Sequence, residues 1–194
     1  MQSSFPNVTT NLALNFLNSK LVSHGKIIDL IDSKDSLRHW AEMPHQKDIE
    51  YNLQLSIFNS CLDQIEDVSP IIAFRNDVQG LLFEIISKEK SVFYLKNMIE
   101  ENLINNPLSV IFVENHAMYV PVKDGLEGIK SIILLSLIDL IETDQVDTLK
   151  RCDNPECFSV FSNKSGRRKW CSMKICGNRN KVEQFEKRQN KKLG

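Results

Sequence analysis

Cysteine spacing near the C-terminus is the feature of this chain best suited to a specific chemistry. Four of the five cysteines in the 194 residues fall within 25 residues of one another. They are Cys152, Cys157, Cys171 and Cys176. Four residues lie inside each pair, and thirteen residues separate the two pairs. Because each pair can wrap a turn around one tetrahedral ion, this spacing predicts that the four thiolates bind one Zn²⁺.

The predicted zinc has a structural role, because four thiolates leave no coordination position for water or substrate. Iron is an alternative ion for the same thiolates, but the paired spacing fits a zinc finger better than the common ferredoxin patterns. Disulfides are the other alternative. The N-terminal sequence shows no secretory signal, so we expect a reducing cytoplasm, where clustered cysteines more often bind metal.

Charge is divided sharply along the chain, although the formal net charge is only -1. Residues 150–194 contain 13 lysines and arginines against 4 acidic residues, whereas the first 149 residues contain 11 against 21. A strongly basic segment attracts phosphate through its local field and through counterion release, so the tail is expected to bind a polyanion. The alternative is that the acidic and basic parts pair with each other.

Basic residues surround the second cysteine pair and continue into the segment that follows it. The residues predicted to contact nucleic acid are Arg167, Arg168, Lys169, Asn178, Arg179, Lys181 and Arg188. Arginine and asparagine can form paired hydrogen bonds with base edges. Base recognition would therefore come from Asn178, from Arg179 or from the adjacent pair Arg167 and Arg168. In the alternative interpretation, Asn178 and Arg179 cap the cysteine turns and the last helix is simply solvated.

The C-terminal segment is expected to fold as a small treble-clef-like finger. The turn "CDNPEC" precedes a strand at "FSVF", a polar turn follows, and "KWC" is predicted to return as the second strand before a final helix. Its predicted miniature core consists of Phe158, Phe161, Trp170, Ile175, Val182 and Phe185. So few apolar residues cannot fold alone, and the metal must therefore contribute much of the stability.

The preceding part of the chain must position this finger, and its pattern is mostly helical. Ser33 is a predicted helix N-cap with Asp35 in the first turn, and Pro70 is predicted to begin another helix. Residues 126–142 are almost wholly apolar and predict a buried helix. β-Branched and aromatic residues between 109 and 122 predict a hairpin that turns at "ENHA".

These patterns together give a mainly α fold with a small β-hairpin, in the α+β class. We expect a helical N-terminal domain over residues 1–149 and a zinc finger over residues 150–194. Cys61 is most simply a core thiol. Arg75 lies on an apolar-faced helix and is expected to reach a buried carboxylate, with a small anionic ligand as the less favoured alternative.

Other classes of protein are not favoured by the sequence. The four histidines form no metal-binding pattern, and no nucleophile elbow, P-loop or dinucleotide-binding turn is present, so an enzyme is not expected. The longest apolar run, "IKSIILLSLIDLI", is shorter than a membrane span and contains Asp139. We therefore expect a cytoplasmic protein without a membrane partner.

The string "WCSMKICGNRNK", together with the first cysteine pair, resembles the CGNR zinc-finger family of bacterial proteins, in which Cys176 to Arg179 form the eponymous motif. "NLALNFLNS" and "IDLIDSKDSLRHW" resemble the ABATE domain, described as a stress-induced transcription regulator. Asn15 stands where that domain usually has aspartate. The resemblance implies a zinc-binding, DNA-binding regulator with a helical N-terminal domain that senses a signal.

Three hypotheses follow. The leading one is a bacterial transcription regulator whose finger contacts double-stranded DNA, with the N-terminal domain supplying homodimerisation or binding a small-molecule effector. The second keeps the fold but makes structured RNA the partner. In the third, the finger docks on the acidic N-terminal domain, which gives a protein-interaction or small-molecule-sensing module.

Overall fold

The computed structural model describes residue 5 and residues 8–23, 26–43 and 49–190. Within them the helices are α1 (Leu12–Leu17), α2 (Lys34–Ala41), α3 (Ile49–Asp63), α4 (Ser69–Ile86), α5 (Val92–Asn105), α6 (Gly125–Glu142) and α7 (Asn178–Asn190). The strands are β1 (Lys20–Ser23), β2 (Lys26–Asp29), β3 (Leu108–Val113), β4 (His116–Pro121), β5 (Leu149–Arg151) and β6 (Val160–Ser162). They form three antiparallel pairs, β1-β2, β3-β4 and β5-β6. The predicted α+β class is confirmed.

Two predicted helix starts are confirmed. The Ser33 side chain accepts the backbone N–H of Ser36, and the Ser36 hydroxyl accepts that of Ser33, so two otherwise unpaired donors at the start of α2 are satisfied. Asp35 adds a negative charge near the positive end of the helix dipole. Pro70 lies in the first turn of α4, where its missing N–H costs no helical hydrogen bond.

Helix α6 is the buried centre of the N-terminal part, as its apolar sequence predicted. It packs against α1, α3, α4 and α5. Gly128 allows the close approach to α3, because a Cβ there would lie 2.5 Å from the Cys61 Sγ. Cys61 is 1% exposed, which confirms its core position. Neither α6 nor any other helix in the described ranges is long and apolar enough to cross a membrane.

Aromatic packing joins the first two helices to this core. The ring of Trp40 in α2 lies between Phe16 and Phe58, with centroid separations of 5.3 and 5.8 Å. Trp40 and Phe16 are fully buried. Large side chains at such positions remove much apolar surface from water, so they fix α1 and α2 against α3.

The hairpin predicted between residues 109 and 122 is confirmed as β3 and β4, which are joined by Glu114 and Asn115. The hairpin β1-β2 was not predicted, because "KLVS" and "KIID" are too short to give a distinct period.

The predicted pairing of strands in the finger is wrong. β6 begins inside "FSVF" and ends at Ser162, but the "KWC" segment is not a strand, and β6 pairs instead with β5, which precedes the first cysteine. The ladder extends beyond the strands, because Asn163 N–H donates to the Thr148 carbonyl at 2.8 Å and Cys152 N–H donates to that of Ser159 at 3.0 Å. This pairing buries Leu149 and Val160 in the main hydrophobic core, which "KWC" would not do.

Candidate metal centre

The four clustered sulfurs lie at the distances required for one tetrahedral ion. All four Sγ atoms are within 4.8 Å of one another. Cys171 Sγ lies 3.7 Å from Cys157 Sγ and 3.6 Å from Cys176 Sγ. A tetrahedron with Zn–S bonds of about 2.3 Å has S···S edges of about 3.8 Å, whereas a disulfide requires about 2.05 Å. The cysteines are unpaired, and the set fits zinc.

Local structure brings the two pairs together. In the first turn, Asn154 Oδ1 accepts the Glu156 N–H at 2.9 Å, and the Asn154 carbonyl accepts the Cys157 N–H at 2.9 Å. The second pair spans a π-helical turn, Met173–Gly177, which leads directly into α7. Backbone N–H groups point at the sulfurs, with Cys171 N–H donating to the Cys152 Sγ at 3.4 Å. Such contacts orient sulfur ligands and support their negative charge.

Proton affinity is distributed unequally among the four sulfurs. Hydrogen bonding with Cys152, and then with Cys171 and Cys176, lowers the pKa of the Cys157 thiol. Contact with Cys152, and next with Cys157, raises the pKa of Cys171 and that of Cys176. Adjacent sulfurs cannot all become negative without a cation among them. A divalent ion would displace the remaining protons and make all four thiolate ligands.

The miniature core of the finger is smaller than predicted. Cys152, Phe161, Cys171 and Cys176 form a buried cluster, with Val8, Cys157 and Trp170 packed against it. Two of the predicted core residues do not belong to it, because Val182 is 56% exposed and Phe185 is 62% exposed. Both residues lie beyond the first turn of α7, and more than half of each side chain faces solvent. Phe158 is half-buried, and the side chain of Ile175 lies outside the described part of the structure.

Buried hydrogen bonds dock the finger on the N-terminal part. Bonded and non-bonded residue pairs alternate along an antiparallel ladder. Hydrogen bonds join Cys152 to Ser159 and Asn163 to Thr148. Val160, which lies opposite Arg151, is therefore at a non-bonded position, and its N–H and C=O point away from β5. The Asn18 side chain bonds to these two backbone groups, as a neighbouring strand would. It donates to the Val160 carbonyl and accepts the Val160 N–H, each at 2.8 Å, and Asn18 is fully buried.

Two further contacts support the same interface. Gln79 Nε2 of α4 donates to the Leu17 carbonyl at 2.7 Å and to that of Phe158 at 3.4 Å. The Arg151 guanidinium lies 4.0 Å from the centroid of the Phe83 ring. Sequence reasoning missed Asn18 and Gln79, because an isolated amide in a helical segment carries no signal of its distant partner.

The structure divides the residues predicted to contact nucleic acid into two groups. Arg168 and Arg179 bond to backbone carbonyls, although Arg168 is also exposed: Arg168 Nη2 donates to the Cys171 carbonyl within the finger at 2.6 Å, and Arg179 Nη1 donates to the Val22 carbonyl of β1 at 3.1 Å. The Arg168 guanidinium also covers the Phe161 ring, 4.5 Å from its centroid. Asn178 is exposed but donates within its own turn, to the Lys174 carbonyl at 3.5 Å.

The second group is open to solvent. The side chains of Arg167, Lys169 and Lys181 are exposed, and none of them makes a hydrogen bond or ion pair with another described side chain. The side chain of Arg188 lies outside the described part of the structure.

The hairpin β1-β2 links this interface to α4. Arg75 is fully buried, and its Nη1 donates to the Ser19 Oγ and to the Asp29 Oδ1, both at 2.7 Å, while its Nη2 pairs with the Asp29 Oδ2. The expected carboxylate partner of Arg75 is therefore Asp29. Burial of Asp29 opposes its ionisation, but the hydrogen bond and charge of Arg75 outweigh this and lower the pKa of the carboxyl.

Comparison with known proteins agrees with the sulfur geometry. The family model described as the CGNR zinc finger matches residues 148–189, which include all four clustered cysteines. A search of curated proteins finds no match. The matched segment begins at the 3₁₀ turn before β5 and ends within α7. The C-terminal segment of the chain is thus similar to a CGNR zinc finger, and its four-cysteine cluster is that of a zinc-binding module.

Proposed function

We propose that the protein is a bacterial, cytoplasmic transcription regulator that binds double-stranded DNA through its zinc finger. The observation that carries this proposal is the group of solvent-open cations on the finger, at Arg167, Lys169 and Lys181. Zinc would have no part in the binding chemistry. It would hold Cys152, Cys157, Cys171 and Cys176 together so that the basic surface keeps its shape.

The basic turn is well ordered for a phosphate contact. Asn163 organises it, because its Oδ1 accepts the Arg168 N–H at 3.0 Å, its Nδ2 donates to the Arg168 carbonyl at 3.1 Å and its carbonyl accepts the Gly166 N–H at 2.8 Å. Gly166 has a φ of 69°, a left-handed conformation that favours glycine. The turn can therefore present Arg167 and Lys169 without a large ordering cost on binding.

The charge division supports an oriented approach to a polyanion. The acidic residues are concentrated before residue 150, so repulsion from phosphate turns the N-terminal part away while the finger approaches. By the resemblance of its opening segment to the ABATE domain, we propose that the N-terminal part senses a small-molecule effector. RNA is the alternative nucleic-acid partner with the same electrostatics.

A second candidate function is favoured by the docked finger. The buried bonds of Asn18 and Gln79 tie the finger to the N-terminal part. A protein-interaction or sensing module could use this interface without any nucleic acid. Charge variants separate the two candidates, because the interface residues and the exposed cations are different residues.

The test is a binding titration of labelled duplex DNA, and of structured RNA, over a salt series. The variant Arg167→Glu with Lys169→Glu is compared with Lys88→Glu with Lys96→Glu, which makes the same charge change at exposed positions outside the finger. We expect the finger variant to lose affinity and to lower the salt slope by about 2, one unit for each lost phosphate contact. Equal losses in both variants, or no salt-dependent binding by the unaltered protein, would refute nucleic-acid binding through this turn.

A further inference from the structure

Strand β3 presents an exposed apolar face. Val110 is 46% exposed and Phe112 is 76% exposed. Tyr119 on β4, which lies directly opposite Val110, is 52% exposed. These three side chains share one face of the hairpin, because cross-strand partners and alternate residues point to the same side. The other face packs inward at β4, where Met118 is only 3% exposed, whereas its partner Ile111 on β3 is 36% exposed.

The same strand has an open backbone edge. Val122 N–H donates to the Pro107 carbonyl at 3.0 Å, which makes residues 107 and 122 a bonded pair at the base of the hairpin. Bonded and non-bonded pairs alternate along an antiparallel ladder. Residues 109, 111 and 113 therefore bond to β4, whereas the N–H and C=O groups of Leu108, Val110 and Phe112 point away from it. No other strand meets this edge in the described ranges.

The edge lacks the features that usually prevent pairing with another chain. The sequence of β3, "LSVIFV", contains no charge and no proline, and the strand has no bulge. Edge strands of proteins that remain single are commonly protected by lysine, proline or a bulge. The other strand, β4, packs against α6 and α3, whereas β3 pairs with β4 alone in the described ranges. Pairing at β3 would thus close after one partner and would not continue into a fibre.

We propose that β3 pairs antiparallel with β3 of a second copy of this chain, forming a four-stranded sheet across a two-fold axis. Centring the pair on Ile111 sets Val110 of one copy opposite Phe112 of the other. This register joins the outward backbone groups of Val110 and Phe112 in both strands, and it also places the two apolar faces side by side. Because β3 contains no charged residue, two copies of it can lie side by side without repulsion between like charges. The edge is in this sense complementary to itself.

The area that edge pairing would bury is small. In the paired sheet, Val110 and Phe112 of the two copies touch side by side, whereas Tyr119 lies one strand further from the partner and Ile111 points to the opposite face. The backbone edge and these lateral contacts together bury less than the roughly 1,200 Å² at which standard specific interfaces begin, which is the range of weak, transient complexes. The dimer should therefore form and dissociate with concentration.

The test is sedimentation velocity over a range of about 1–100 µM, where a weak dimer changes its population by mass action. The unaltered chain should move from 22.3 kDa toward twice that mass. Val110→Pro removes an outward N–H without breaking the ladder to β4, and Phe112→Lys adds a charge to the joined face. Both should remain monomeric over the whole range. Ile27→Lys is the matched control, because Ile27 is 63% exposed on a different hairpin and its substitution should leave the dimer intact.

Amide hydrogen exchange gives a second measurement, because folding of a single chain would not make protection depend on protein concentration. Protection at residues 110 and 112 should rise with protein concentration, while residues 109 and 111 stay protected throughout. A chain that is monomeric at every concentration would overturn the proposal. So would a dimer that survives Val110→Pro and Phe112→Lys, or one that Ile27→Lys dissociates equally.

Discussion

Replacing Asn18 by alanine should uncouple the finger from the rest of the chain. Asn18 is the only side chain in the described residues that bonds to both backbone groups of Val160. Val160 is fully buried, so water cannot replace the lost partner. Asn18→Ala would leave one donor and one acceptor unpaired in the interface.

The magnitude follows from those two groups. A buried polar group left without its partner costs about 1–3 kcal/mol, so the free energy of unfolding should fall by about 2–6 kcal/mol. Single domains are stable by about 5–15 kcal/mol, which makes this a large fraction of the total. Because Val160 lies between the two cysteine pairs, part of the loss should appear as zinc affinity, weakened by at least about tenfold.

Urea unfolding followed by circular dichroism measures the stability, and competition with a chromophoric chelator measures the zinc affinity. Asn105→Ala is the control, because Asn105 is an exposed asparagine and the substitution keeps its backbone carbonyl. If Asn18→Ala costs no more than this control, the docked interface does not exist in solution. A large loss of stability with unchanged zinc affinity would show that the finger folds independently.

Two further predictions concern Asp29 and the adjacent arginines of the finger. Arg75 lowers the pKa of Asp29 in the folded protein. The ionised carboxylate therefore stabilises the fold fully above its unfolded-state pKa of about 3.9, and this stabilisation is lost as the pH falls through the lower folded-state pKa. Asp29→Asn should therefore flatten the acid side of the stability profile measured by urea unfolding between about pH 2 and 5, and an unchanged profile would contradict the ion pair. Arg168→Gln should reduce stability by about 1 kcal/mol through its contact with Phe161 and should weaken zinc binding, whereas Arg167→Gln should lower only DNA affinity. Equal effects of the two substitutions in the chelator and DNA titrations would refute the division between structural and solvent-open arginines.

The features that sequence alone predicted are those fixed by neighbouring residues. The clustering of the four sulfurs could be predicted because each cysteine pair places two sulfurs within one turn. The N-cap at Ser33 and the hairpin between β3 and β4 depend on residues a few positions apart, and both form as expected.

The features that failed depend on distant partners. The strand predicted at "FSVF" forms only over its second half, and its mate at Leu149–Arg151 precedes the first cysteine and buries Leu149 in the main core. Val182 and Phe185 have the spacing of a core-facing stripe, yet spacing cannot show that more than half of each side chain faces solvent. The contact of Arg168 with Phe161 was likewise not predicted, because it is a property of the folded finger.

Metal content tests the central claim most directly. Protein purified under reducing conditions and analysed by native mass spectrometry should carry one zinc ion per chain. Cys171→Ser should carry none, whereas Cys61→Ser, which alters the one cysteine outside the cluster, should keep its zinc. Unaltered protein without zinc, or stoichiometric zinc in Cys171→Ser, would contradict a four-thiolate centre at these residues.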